Sequence, residues 1–138
     1  MSNGARKYEI LEHLADLKIR AFGKTKEELF LNMMKGMMES VKPEGLTKGE
    51  KREIKISSSN LEALLVDFLS EVLYLSQTNK EIYKDIKFKK MTDTELEGEL
   101  FGQKVERFGE DIKAVTYHGL EIHQKEDSTW EATVLFDI

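Results

Sequence analysis

Two aspartates and three histidines are the residues of this chain whose types fit site chemistry. Asp16 closes the run Glu12-His13-Leu14-Ala15-Asp16 at the head of an alternating apolar segment, and Asp137 is followed only by Ile138. Each has an ordinary reading, since aspartate is a common turn residue before a strand and a solvent-facing one at a strand end. Together with the α-carboxylate of Ile138 they make three hard oxygen donors, the set that takes Ca2+, Mg2+ or Mn2+ with waters completing the shell. Sequence spacing alone does not bring Asp16 to the other two. His13 and Asp16 also suit an acid/base pair. His118, in Tyr117-His118-Gly119, precedes a glycine suited to a turn, and His123 alternates along a strand where a cross-strand contact is the simpler role. No serine sits in a nucleophile elbow, no glycine-rich phosphate loop exists and no two histidines have zinc spacing. A hydrolase built on His13, Asp16 and His118 is therefore the weaker reading.

The composition narrows the classes further. With 138 residues and 40% hydrophobic content, the chain suits one domain over 1–138 with one apolar core. The 21 basic residues are interspersed among 26 acidic ones for a net charge of −5, which leaves no footprint for direct nucleic-acid binding. No apolar run reaches the roughly 18 residues that span a bilayer, and the start lacks a secretory apolar region, so no membrane association and a cytoplasmic location are expected. The absence of cysteine removes disulfides, thiolate metal sites and cysteine nucleophiles together.

The elements that must position these residues are legible from periodicity. Tyr8 to Leu11, and Leu17 to Ala21 closed by Gly23, read as two strands flanking Asp16. Thr25 and Glu28 have capping-box spacing, which predicts a helix over 26–40 with Leu29 or Phe30, Met33, Met34, Met37 and Met38 buried. Gly36 weakens that helix by about 1 kcal/mol relative to alanine unless a neighbour packs closely. Residues 42–50 read as a linker and 52–57 as a strand. Ser59 and Glu62 repeat the capping-box spacing before a long helix whose face is Leu61, Leu64, Leu65, Phe68, Val72 and Leu75. Residues 82–101 suit a hairpin with a three-residue loop, Met91 to Asp93, that pairs Phe88 with Leu96, Lys89 with Glu95 and Lys87 with Glu97. Three strands follow, near 112–117, 120–124 and 130–138. The expected class is α+β: a mostly antiparallel sheet of about six to eight strands with two main helices covering one face.

Two further patterns weigh structure against binding. The methionine stripe in Asn32-Met33-Met34-Lys35-Gly36-Met37-Met38 is core by its spacing; its rival is an adaptable apolar groove of a general chaperone or adaptor. Lys84, Lys87, Lys89 and Lys90 face the acidic residues of the proposed neighbouring strand, a solvated charge ladder.

With these residues in view, the chain resembles the archease family. The likeness rests on YEILEHLADLKIRAFGKTKEELF, LEALLVDFLSEVLYL, IKAVTYHGLEI and WEATVLFDI, in that order and over nearly the whole length. The resemblance implies a non-catalytic accessory protein that activates the RtcB-type RNA ligase of tRNA splicing, promoting its guanylylation and turnover. It implies a mixed α/β fold with antiparallel sheets, and a divalent ion on Asp16, Asp137 and Ile138, Ca2+ first with Mn2+ or Mg2+ as alternatives. His13, Lys113 and His118 also fall on family motifs, which implies orientation of that site or contact with the ligase. Leu14 stands where the family has threonine; the ligand position is unchanged, and the departure touches a supporting hydrogen bond.

Overall fold

The computed structural model describes residues 6–12 and 16–138. Strands β1 (Tyr8–Glu12) and β2 (Asp16–Gly23) lead into helix α1 (Lys26–Ser40), whose bounds coincide with those expected. Thr25 Oγ1 accepts from Glu28 N at 3.1 Å, while Glu28 Oε1 accepts from Lys24 N at 2.8 Å, so the reciprocal half of the capping box lands one residue early. Short β3 (Pro43–Glu44) and long β4 (Thr47–Ser57) occupy most of the span read as a linker. Helix α2 (Leu61–Asn79) is capped by Asn60, whose side chain accepts from Ala63 N at 2.8 Å, and not by Ser59. The chain continues through β5 (Glu81–Met91), β6 (Glu95–Lys104), β7 (Arg107–Phe108), β8 (Ala114–Gln124) and β9 (Trp130–Asp137). The α+β class holds, with nine strands among the described residues, two of them only two residues long.

These strands form three antiparallel sheets instead of one: β1-β2-β9-β8, β4-β6-β5 and the small β3-β7 pair. The helices do not cover one face of a single sheet. Helix α1 packs against β2 and β5, and α2 against β8, β5 and β4, so both lie between the two larger sheets. That placement explains why buried apolar side chains spread beyond one narrow stripe on each helix, since each packs against more than one sheet. In α2 Val66, Leu69 and Leu73 are buried beside the expected Leu64, Leu65, Phe68 and Val72. In α1 both Leu29 and Phe30 are buried, and the Phe30 and Phe68 rings meet at 5.6 Å. Met33, Met34 and Met37 are fully inaccessible and Met38 is 2% exposed, so the methionine face is core and offers no groove to a client. Gly36 has the close neighbours that justify it: an added Cβ would lie 3.1 Å from Ile19 Cγ2 and 3.2 Å from Tyr8 Cγ.

Two registers differ from expectation. In the β5-β6 hairpin Met91 pairs with Leu96 and Thr92 N donates to Glu95 O at 2.9 Å, so the turn centres on Asp93 and Thr94 and the expected loop Met91 to Asp93 is not formed. A bulge at Lys89 then shifts the ladder by one, pairing Phe88 with Gly98 and Lys87 with Glu99, and Lys90 reaches Glu95 at 2.8 Å. The two strands expected over 112–124 are one, β8, irregular between Thr116 and Glu121. Gly119, at φ +68°, belongs to that irregularity and does not end the strand. No helix among the described residues is long and apolar enough to cross a membrane.

Candidate functional site

The ladder between β2 and β9 sets Asp16 directly opposite Asp137. Such residues have Cα atoms about 4.5–5.5 Å apart and project to the same face. The buried residues of β2 are Ile19, Ala21 and Gly23, and those of β9 are Ala132, Val134 and Phe136, so both aspartates fall on the opposite, outer parity. Ile138 follows Asp137 and, with Asp16, lines a cavity of ≈ 450 Å³ floored by Ile10, Leu17 and Ile112. The register thus joins the two aspartates singled out from the sequence and sets Ile138 beside them.

Other segments fix this corner. Lys113 N donates to Asp137 O at 2.7 Å, and Ala114 pairs with Asp137 on β8. The preceding loop is tied to the end of α1, where Lys42 adopts φ 47°: Gly109 N donates to Lys42 O at 2.8 Å and Glu110 N to Val41 O at 3.1 Å. Gln77 Nε2 donates to Ile112 O at 2.8 Å, and Ile112 is buried as an anchor. These bonds deliver Glu110 and Asp111 to the cavity that Asp16 lines, where Glu39 joins them from the last turn of α1. That turn carries no basic residue, so the negative end of the helix dipole adds to the same field. Lys42 is the cation lining the cavity; its Nζ lies 3.4 Å from Glu110 Oε1 with both groups well exposed, a weak, screened pair.

The donor chemistry fits a hard cation. Asp16, Asp137 and the Ile138 carboxylate offer oxygen only, and Glu39, Glu110 and Asp111 line the cavity that Asp16 and Ile138 share. Among the described residues no three Asp, Glu or His side chains gather tightly enough to share an ion.

The remaining expected residues divide. His13 and Leu14 lie outside the described residues. Lys113 contributes its backbone N–H to the corner, its side chain being exposed. His118 is exposed in the irregular part of β8, two strands across and about three residues along from Asp16, roughly 14 Å away by strand spacing. The structure does not assemble His118 with Asp16, which removes that pairing from the hydrolase reading. His123 takes the cross-strand contact expected of it, with Nε2 3.2 Å from Glu131 Oε2.

The model of the Archease protein family (MTH1598/TM1083) matches residues 8–138, a span that contains both aspartates and the corner around them. The chain belongs to the archease family. The protein archease of Methanosarcina barkeri is 37% identical over 147 residues, covering 100% of each chain. That of Thermococcus kodakarensis is 31% identical, over 96% of this chain and 99% of its own. Among solved structures, protein 1598 of Methanobacterium thermoautotrophicum aligns with a TM-score of 0.75 and 28% identity, over 95% of this chain and 98% of that one. An archease of Thermotoga maritima, described as a possible chaperone, shares the fold at a TM-score of 0.66 and 23% identity, over 94% and 96%.

Sequence reasoning missed Glu39, Glu110 and Asp111 in this archease corner. A signal existed for Glu39, because an acid in the last turn of a helix opposes the dipole and calls for a reason. Glu110 and Asp111 gave none, since only the tertiary bonds to Val41 and Lys42 bring them here.

Proposed function

We propose that this chain is a non-catalytic activator of the RtcB-type RNA ligase of tRNA splicing. It promotes guanylylation and turnover of the ligase with a divalent ion held by Asp16, Asp137 and the terminal carboxylate of Ile138. The observation that carries the reading is the direct pairing of Asp16 with Asp137 beside the cavity that Ile138 lines. A divalent ion supplies neutralisation of phosphate charge during nucleotidyl transfer. The chain's own residues do the rest: β2 and β9 fix the spacing of the two carboxylates, Lys113 N fixes the Asp137 carbonyl, and the outer acids favour a cation over a phosphate at the mouth. Membership of the archease family supports the accessory role.

Two readouts test this. Calorimetric titration with Ca2+ or Mn2+ is expected to show binding that Asp16→Ala and Asp137→Ala abolish without loss of fold. Guanylylation of the cognate ligase by GTP, with this protein substoichiometric, is expected to accelerate with the parent and not with either variant. Full activation by both variants removes the ion from the reading; no acceleration by the parent removes the ligase.

A further inference from the structure

The chain's overall charge is negative, yet one groove is lined the other way. Beside β1 and the second half of α1 lies a cavity of ≈ 560 Å³, bordered by Lys7, Lys35 and Lys84 with Glu39 as its one acid. Its apolar lining includes Tyr8, Met38, Leu46 and Ile82. The three lysines come from three places: Lys7 just before β1, Lys35 in α1 and Lys84 in β5. Among the described residues none of the three amines has a carboxylate partner within ion-pair distance.

The backbone beside this groove is also open. β1 is the end strand of its sheet and β5 the end strand of the other, so each pairs on one side only among the described residues. Lysines on sheet edges discourage indiscriminate pairing, which accounts for Lys7 and Lys84. It does not account for Lys35, which stands on a helix. Nor does it account for Ile10 and Leu46, large apolar residues 39% and 38% exposed beside the same edge. The groove further runs on: Glu39 lines both this cavity and the one shared by Asp16 and Ile138, while Tyr8 and Ile10 of β1 line one each.

We propose that this groove docks an extended, acidic segment of a partner protein, which adds to the free edge of β1 and sets alternate apolar side chains toward Tyr8, Met38 and Leu46. Its carboxylates pair with Lys7, Lys35 and Lys84. Strand addition supplies the affinity through main-chain hydrogen bonds, the apolar side chains of the segment fill the groove, and the long lysine side chains reach past its apolar lining to carboxylates at the rim. Charge complementarity selects an acidic segment, because a basic one would meet three amines. A nucleic acid fits less well, since the floor is mainly aliphatic, no arginine lines the groove, and Tyr8, its aromatic residue, packs against Gly36. The inference goes beyond the ligase reading and stands whichever protein bears the segment.

The probe is a labelled peptide of alternating glutamate and leucine, about six residues to match β1, read by fluorescence anisotropy. Its companions are the same peptide with lysine for glutamate, the same peptide N-methylated at alternate amides, and a single-stranded oligouridylate. The acidic peptide is expected to bind, the lysine and N-methylated peptides at least about tenfold more weakly. The charge-reversed variant Lys7→Glu/Lys35→Glu/Lys84→Glu should lose about tenfold or more, with an unchanged melting temperature, and the neutral change Leu46→Ser should weaken binding independently of charge. Backbone amides of β1 should gain exchange protection on binding. Absence of binding, equal binding of acidic and basic peptides, binding insensitive to both variants, or lysine-dependent binding of the oligouridylate in place of the peptide each overturns the proposal. None of these readouts involves the ligase or a metal, so failure here is separable from failure of the activation reading.

Discussion

Glu81→Gln should be among the most damaging surface-neutral changes in this chain. Glu81 opens β5 directly after Lys80, which ends α2 in the left-handed region at φ 53°, and it is fully inaccessible. Arg52 of β4 grips it with two bonds, Nε to Oε1 at 3.0 Å and Nη2 to Oε2 at 3.1 Å. Tyr83 Oη donates to Oε1 at 2.8 Å, and Lys104 Nζ lies 3.8 Å from Oε2. Removing one member of a buried ion pair typically costs about 3–5 kcal/mol. Glutamine retains an acceptor, and Arg52, 28% exposed, regains water, so the lower end of about 3 kcal/mol applies. At about 2.1 cal/mol/K per residue, the 138 residues give an unfolding entropy near 290 cal/mol/K, so the melting temperature should fall by about 10 °C. Calorimetry at neutral pH reads this directly. Burial pushes the Glu81 carboxyl up, but the hydrogen bonds from Arg52 and Tyr83 and the charges of Arg52 and Lys104 outweigh it and hold it below the usual carboxylate range. A depressed native value means stability present above the unfolded value, about 4.3, and lost as pH falls through the native one. The gap between parent and variant should therefore close on acidification. A neutral-pH drop under about 2 °C, or a gap that persists once Glu81 is protonated, would refute the reasoning.

Four further outcomes follow from named contacts. Without divalent ions Asp16→Asn should raise the melting temperature slightly, by about 0.2–1 kcal/mol of relieved like-charge repulsion across the ladder, whereas Mn2+ should stabilise the parent and not the variant. Asn60→Ala should cost about 1 kcal/mol in denaturant titration and Ser59→Ala close to nothing, since Asn60 holds Ala63 N. Met37→Ala should cost about 2–5 kcal/mol, and the native parent should bind no hydrophobic-surface dye at the methionine face. Gly119→Ala, strained at φ +68° but meeting nothing within 4 Å, should cost about 1 kcal/mol without altering the fold by heteronuclear NMR.

Local signals carried the helices well and the sheets poorly. Thr25 and the methionine spacing located α1 to the residue, because a cap and a period of 3.6 are both written within one segment. The cap of α2 slipped by one because Ser59 and Asn60 are both good capping residues, and only the bond to Ala63 N separates them. Hairpin parity left registers two residues apart equally acceptable, and the turn at Asp93 and Thr94 together with the bulge at Lys89 decided among them. Gly119 looked like a turn because the local sequence shows the glycine and not the ladder to β9 that carries β8 through the irregularity. The burial of Val66, Leu69 and Leu73 on a second side of α2 was the overlooked sign that two sheets enclose the helices. Asp16 and Asp137 were legible by residue type, but their pairing depends on the register of two strands more than a hundred residues apart.

That pairing is costly as architecture. Like charges directly opposite on an antiparallel ladder are destabilising, and among the described residues neither aspartate has an ion-pair partner, while Glu39, Glu110 and Asp111 line the cavity that Asp16 shares. A threonine or asparagine at either position would keep the ladder and remove the repulsion. Elsewhere the chain resolves such conflicts, as where Glu53 and Glu99 face each other on the exposed sheet and Lys89 reaches Glu53 at 3.2 Å. Local rules are broken without compensation mainly where function asks for it. In the proposed function a bound cation is that compensation, and it would turn the same carboxylates from a source of strain into the fastening between β2 and β9.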